Sequence, residues 1–171
     1  MDATLRYELQ AQKSYDQGKP IVITFSVKNL SSHDIWILKW YTPLEGIKGK
    51  IFDIKCDGAE IPYEGRLIKR GNPDKDDYVL IDPGASAQAQ VDLSQAYSLP
   101  ACNECVVKFK GRIHDFVFDE KQIPRPANQQ VTADVAGNTV SFRIASNVVT
   151  ICSASPTDMQ IPSEGRNYGT P

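Results

Sequence analysis

Asp34-Ile35-Trp36-Ile37-Leu38-Lys39-Trp40-Tyr41-Thr42-Pro43-Leu44-Glu45-Gly46 is the stretch on which the reading of the chain turns. Its first half has the apolar density of a central β-strand. Alternation over 35–40 sets Trp36, Leu38 and Trp40 on one face and Ile35, Ile37 and Lys39 on the other. A strand apolar on nearly both faces is covered on both sides. We expect the two indoles to fill the core between two sheets and a loop of the same chain to cover Ile35 and Ile37. The second half is a turn set by Pro43 and Gly46, in which Tyr41 and Leu44 can present apolar surface.

Outward from this stretch, period-two alternation recurs and no segment has a convincing helical period. Leu5, Tyr7 and Leu9 alternate with Arg6 and Glu8, and Ile21, Ile23, Phe25 and Val27 share one face of the next strand. Phe52, Ile54 and Cys56 lead to a hairpin turn at Asp57-Gly58. Tyr78–Ile81 is followed by Asp82-Pro83-Gly84, a type II turn, and then by alternation through Val91 and Leu93. Cys105, Val107, Phe109 and Ile113 share one face, with Lys108, Lys110, Arg112 and His114 on the other. Residues 119–131 form a long loop, and Val140, Phe142 and Ile144 a late strand. The parity shift at Val149 and Ile151 implies a bulge near Ser146-Asn147 or two separate strands. Eight or nine short strands with Gly/Pro turns predict an all-β fold, an antiparallel immunoglobulin-like sandwich over 1–152 with a polar tail or linker at 153–171.

At 171 residues the chain is long enough to bury a real core, and its 41% hydrophobic and 23% charged content is that of a globular protein. A net charge of −2 gives no general attraction to nucleic acid or to an anionic membrane. No apolar run approaches membrane-spanning length, and the first residues lack the regions of a secretory signal. The sequence assigns the chain to no compartment.

Catalytic constellations are sparse. His33 and His114 each precede an aspartate, but strand neighbours point to opposite faces, so neither pair is a natural dyad. No nucleophile elbow, phosphate loop or HExxH motif occurs. Cys102-Asn-Glu-Cys105 has the spacing of half a zinc site, but Cys56 and Cys152 stand alone in sequence; disulfides, free thiols and zinc remain open. Asp74-Lys-Asp-Asp77 reads as a solvated turn and not as a calcium loop, and Asn29-Leu-Ser31 fits a glycosylation sequon that arises often by chance. We expect no metal, no cofactor and no enzymatic activity. The stripe Lys108, Lys110, Arg112 and His114 reads either as a solvated face or as a docking surface for an acidic partner.

The segment Ile37-Leu-Lys-Trp-Tyr-Thr-Pro-Leu-Glu-Gly46 resembles a "vLkw-TPLEG" segment in the N-terminal propeptide-like domain of deuterolysin-type (aspzincin) zinc metallopeptidases, a group that includes peptidyl-Lys metalloendopeptidases. The likeness runs on through Asp57-Gly58, Ile61-Pro-Tyr63-Glu-Gly65, Lys69-Arg-Gly71-Asn-Pro73, Asp77-Tyr78, Pro83-Gly84, Val91-Asp-Leu-Ser94 and Tyr97. Upstream, Val27-Lys-Asn-Leu matches a strand end, and the whole covers about residues 5–115, with looser agreement to about 152. In that family the zinc is held by HExxH and GTxD motifs of a separate domain. Neither motif occurs here, so no zinc ligand or catalytic glutamate carries over. The resemblance implies a non-catalytic domain that holds a peptidase inactive or assists its folding. The alternative reading is a β-sandwich module for a glycan or cell-surface protein. Candidate contact residues are Tyr41, Pro43, Leu44, Tyr63, Lys108, Lys110, Arg112 and His114.

Overall fold

The computed structural model describes residues 4–146. These form an all-β sandwich with no α-helix among the described residues; the helical elements are four single 3-10 turns. The strands are β1 (Leu5–Gln10), β2 (Ser14–Asp16), β3 (Val22–Asn29), β4 (Ile35–Leu38), β5 (Phe52–Cys56), β6 (Ala59–Glu60) and β7 (Tyr78–Ile81). They continue as β8 (Ser86–Asp92), β9 (Cys102–Phe109), β10 (Arg112–Ile113), β11 (Phe116–Val117), β12 (Ala133–Asp134), β13 (Ala136–Gly137) and β14 (Thr139–Ala145).

One sheet has the order β13-β1-β3-β8 and another β2-β14-β9-β5-β6, with smaller sheets β11-β4-β7 and β10-β12. Alternation decides what each large sheet buries. Leu5, Tyr7 and Leu9 from β1 and Phe25 and Val27 from β3 are buried, as are Phe52 and Ile54 from β5 and Val107 and Phe109 from β9. The Phe109 ring meets Tyr7 at 5.1 Å, Phe25 at 5.0 Å and Phe52 at 6.2 Å between centroids, so one aromatic joins both large sheets. Pairing is not antiparallel throughout: β13 runs parallel to β1, and β2 parallel to β14.

Strand β4 inverts the expectation for its two faces. Ile35 and Ile37 are fully buried in the main core. Trp36 and Trp40 are half-buried around a satellite cluster of Leu38, Tyr78, Val117 and Ile123. Alternation fixes which residues share a face but not which face points inward. The compact β-branched pair fills the space between sheets, and the indoles pack at the perimeter. A loop does cover the outer face, since Ile123 comes from residues 119–131.

The basic stripe does not lie on one strand. β9 ends at Phe109, and Gly111, at φ +81, turns the chain before Arg112 and Ile113 pair with β12. A Cβ on Gly111 would stand 2.9 Å from the Val135 carbonyl oxygen, so the turn needs glycine twice over. Within the described residues the register shift falls earlier than Ser146-Asn147. Phe142 pairs with Cys105 and Ile144 with Cys102, so β9 carries one extra residue. Val149, Ile151 and the tail lie outside the described residues. The Asn29 side chain, fully buried, donates to the carbonyls of His33 and Ile81 and accepts from Ser31, which makes its sequon a structural turn.

Unfolding in urea should separate the two faces of β4. Ile37→Ala should cost about 2–5 kcal/mol, and Trp36→Ala measurably less, because its indole keeps solvent contact in the folded state.

Candidate functional site

After β4 the chain makes a turn whose hydrogen bonds account for its composition. Thr42, fully buried, donates its hydroxyl to the Lys39 carbonyl at 2.8 Å and accepts from the Leu44 amide at 3.0 Å. The Glu45 carboxylate accepts from the Tyr41 amide at 2.8 Å and from the Arg70 guanidinium at 2.6 Å. That ion pair is nearly closed to water, with side chains 9% and 11% exposed for Glu45 and Arg70. Arg70 also lies over Trp40 and Tyr41, 4.6 and 4.8 Å from their ring centres. Tyr41 is thereby held at φ +61, a conformation unfavourable for an aromatic residue. Its ring stands 4.8 Å from the His114 imidazole.

Tyr41 forms one wall of an open cleft of about 530 Å³. The 48–51 segment, Leu67 and Ile68 contribute a second wall, and Lys110, Arg112, His114 and Asp134 a third. Lys48, Lys50, Lys110 and Arg112 are exposed cations on its lining; Asp134 stands 3.4 Å from Arg112, and Glu60, outside the lining, 3.6 Å from Lys50. Leu67 is 86% exposed at the rim, an apolar tip beside a positive surface. Burial, and after it the charges of Arg112 and Arg70, hold the His114 pKa below its ordinary value. Its imidazole is therefore neutral at pH 7.

Of the candidate residues, the structure brings Tyr41, Lys110, Arg112 and His114 into this cleft. Tyr63 lines a neighbouring hollow that shares Lys50 and Leu67 with it. The Tyr63 hydroxyl donates to the Arg66 carbonyl at 2.6 Å and lies directly over Gly65, where a Cβ would collide with it. Lys108 is exposed on β9 but is not part of the lining, Pro43 is buried, and Leu44 packs half-buried against the core. The last two serve the turn. Sequence reasoning missed Lys48, Lys50, Leu67, Ile68 and Asp134, which reach the cleft from segments far apart in the chain, and Arg70, which lies over the Tyr41 ring. The alternation Lys48-Gly-Lys50 was the available signal.

No protein-family model matches the chain. It is similar to a protein described as an extracellular protease of Aeromonas hydrophila, with 29% identity over 87 residues. The match covers 51% of this chain and 25% of that protein, so it links half of the chain to a quarter of a protease. Among solved structures, a cohesin module from a family 33 glycoside hydrolase of Clostridium perfringens aligns over 85% of this chain and 99% of its own. Its 8% identity and TM-score of 0.32 make that likeness too loose to carry an argument.

Removing the carboxylate in Glu45→Ala leaves a buried guanidinium uncompensated, and chemical denaturation should show a loss of about 3–5 kcal/mol. For His114 the folded-state pKa lies below the unfolded value of about 6.5, so the unfolded chain takes up the proton first as pH falls. Its contribution to stability is complete above about pH 6.5 and is lost as pH falls toward the depressed folded value. The Tm difference between wild type and His114→Gln should shrink over that interval in the direction of the variant.

Proposed function

We propose that the chain is a non-catalytic protein-binding domain that docks an acidic segment of a peptidase domain in its basic cleft, holding the enzyme inactive or assisting its folding. The cleft carries this reading: four exposed cations line it, Lys50 and Arg112 paired with Glu60 and Asp134 and Lys48 and Lys110 in excess, around a hollow whose rim offers an exposed leucine. Such a surface steers an acidic partner by charge and retains it by apolar contact. A peptidase is the favoured partner because half of the chain matches part of a protease and because Trp40–Gly46, Ile61–Gly65 and Lys69–Pro73 carry the propeptide resemblance. Those three segments supply Tyr41, Tyr63 and Arg70 at or beside the cleft. The missing HExxH and GTxD motifs fit a binding role.

The test is to mix the purified chain with a deuterolysin-type zinc peptidase and follow both complex formation and peptide hydrolysis. Binding that slows hydrolysis and weakens as salt rises is expected. Charge reversal at Lys110 and Arg112 together should weaken it at least about tenfold. A peptidase unaffected by excess chain, or binding indifferent to both salt and charge reversal, would sink the proposal; selective binding on a glycan array would replace it with the alternative module.

A further inference from the structure

The sequence places Cys56 alone, but the fold does not. Cys56 lies directly opposite Cys105 across β5 and β9. The amide of Asp57 donates to the carbonyl of Glu104 and that of Lys110 to Ile51, which puts the hydrogen-bonded pairs at the odd positions of β5. Cys56 and Cys105 are then a non-hydrogen-bonded pair, the kind with the closest side chains. Their sulfurs are 3.0 Å apart.

Cys102 joins them through the bulge. In an unbroken strand, residues three apart face opposite ways. The extra residue of β9 reverses that parity, so Cys102 and Cys105 are both buried while Asn103 and Glu104 are exposed. The amides of Asn103 and Glu104 are taken up by the Asp57 carboxylate, at 3.0 and 2.9 Å. The three sulfurs all lie within 4.8 Å of one another.

Two chemistries suit three converging thiols. A soft metal ion with metal–sulfur bonds of about 2.3 Å would set its ligands roughly 3.8–4 Å apart, wider than the Cys56–Cys105 approach. The ion would also have to stabilise three thiolates beside Asp57. Burial, the leading cause in each case, pushes the pKa of Cys56 up to about 12 and those of Cys102 and Cys105 up to about 11, so thiolate chemistry at any of the three is slow at neutral pH. The cross-strand approach favours a sulfur–sulfur bond.

We propose that Cys56 and Cys105 are a disulfide-forming pair and that Cys102 is the entry thiol that relays oxidation to them. Cys102 has the greatest exposure of the three, 9% against 4% and 0% for Cys56 and Cys105. With oxidised glutathione as oxidant, the Cys102 thiolate attacks one glutathione sulfur and releases the first reduced glutathione. Cys56 then attacks the Cys102 sulfur of this mixed disulfide and releases the second. Finally Cys105 attacks Cys56, forming Cys56–Cys105 and returning Cys102 to the thiol. In balance, two thiols lose two electrons and two protons, and one glutathione disulfide becomes two thiols. The product closes a loop over 56–105, which carries Tyr63, Leu67 and Arg70.

The experiment incubates the full chain with oxidised glutathione, quenches with an alkylating agent and maps disulfides by mass spectrometry. Cys56–Cys105 should be the principal bond involving these residues, and the oxidised chain should melt higher than the reduced one. Cys102→Ser should reach the same bond several-fold more slowly, and Cys105→Ser should accumulate Cys56–Cys102. Formation of Cys56–Cys105 in Cys102→Ser at the wild-type rate would overturn the relay. A chain that stays reduced, bonds Cys56 to Cys152, or instead retains stoichiometric zinc or copper would overturn the pair itself.

Discussion

The fully buried carboxylate of Asp115 is the constraint on which the outer half of the fold rests. It accepts from the Tyr78 hydroxyl on β7 at 2.6 Å, from the Arg125 guanidinium, and from the Val131 amide at 2.9 Å. The backbone carbonyl of the same residue accepts from Leu38 at the end of β4. A buried charge is costly unless paired and fully hydrogen-bonded. These partners converge from three segments, so the satellite cluster, the 119–131 loop and the exit of β4 must form together. Burial, reinforced by the bond to Asp115, pushes the Tyr78 phenol up to about 12, so it remains a donor at any physiological pH. His114 precedes Asp115 directly. The wall of the cleft is thus set by a residue whose other neighbour is locked into the core.

A second buried ion pair, Glu45 with Arg70, does for the turn what Asp115 does for the loop. It binds Thr42–Gly46 to the segment around Lys69–Pro73 and, through Arg70, stacks Trp40 and Tyr41. Trp40–Gly46 and Lys69–Pro73 are therefore joined by contact though far apart in the chain. Their first task is to hold Tyr41 in an unfavourable backbone conformation at the mouth of a positive hollow.

Most strands were legible because period-two alternation in a half-buried strand is a direct record of burial: Ile21 to Val27 and Cys105 to Phe109 each have the predicted inward face. The turns at Asp57-Gly58 and Asp82-Pro-Gly84 were equally legible, since the glycines take positive φ. What stayed hidden depended on pairing between distant segments. Alternation could not say that Ile35 and Ile37, and not the indoles, face the core. It could not reveal the parallel edges contributed by β2 and β13, or the strand break that Gly111 imposes on the basic stripe. The cleft was half visible through Tyr41, Lys110, Arg112 and His114, while its opposite wall comes from residues 48–51 and 67–68.

The bulge in β9 works as a slip of phase in the strand's period, held there by one carboxylate. Asp57 occupies the first position of the hairpin turn, at φ +49, and from it reaches the two amides that the slip leaves without ladder partners. A deletion of one residue between Cys102 and Cys105 would make the ladder more regular and would be gentle on the backbone. It would also free the Asp57 carboxylate from one of its two amides, while Ile144 would stay opposite Cys102. What the irregular spacing adds is a second amide on Asp57, an anchor between hairpin and strand that a tidier β9 would lack.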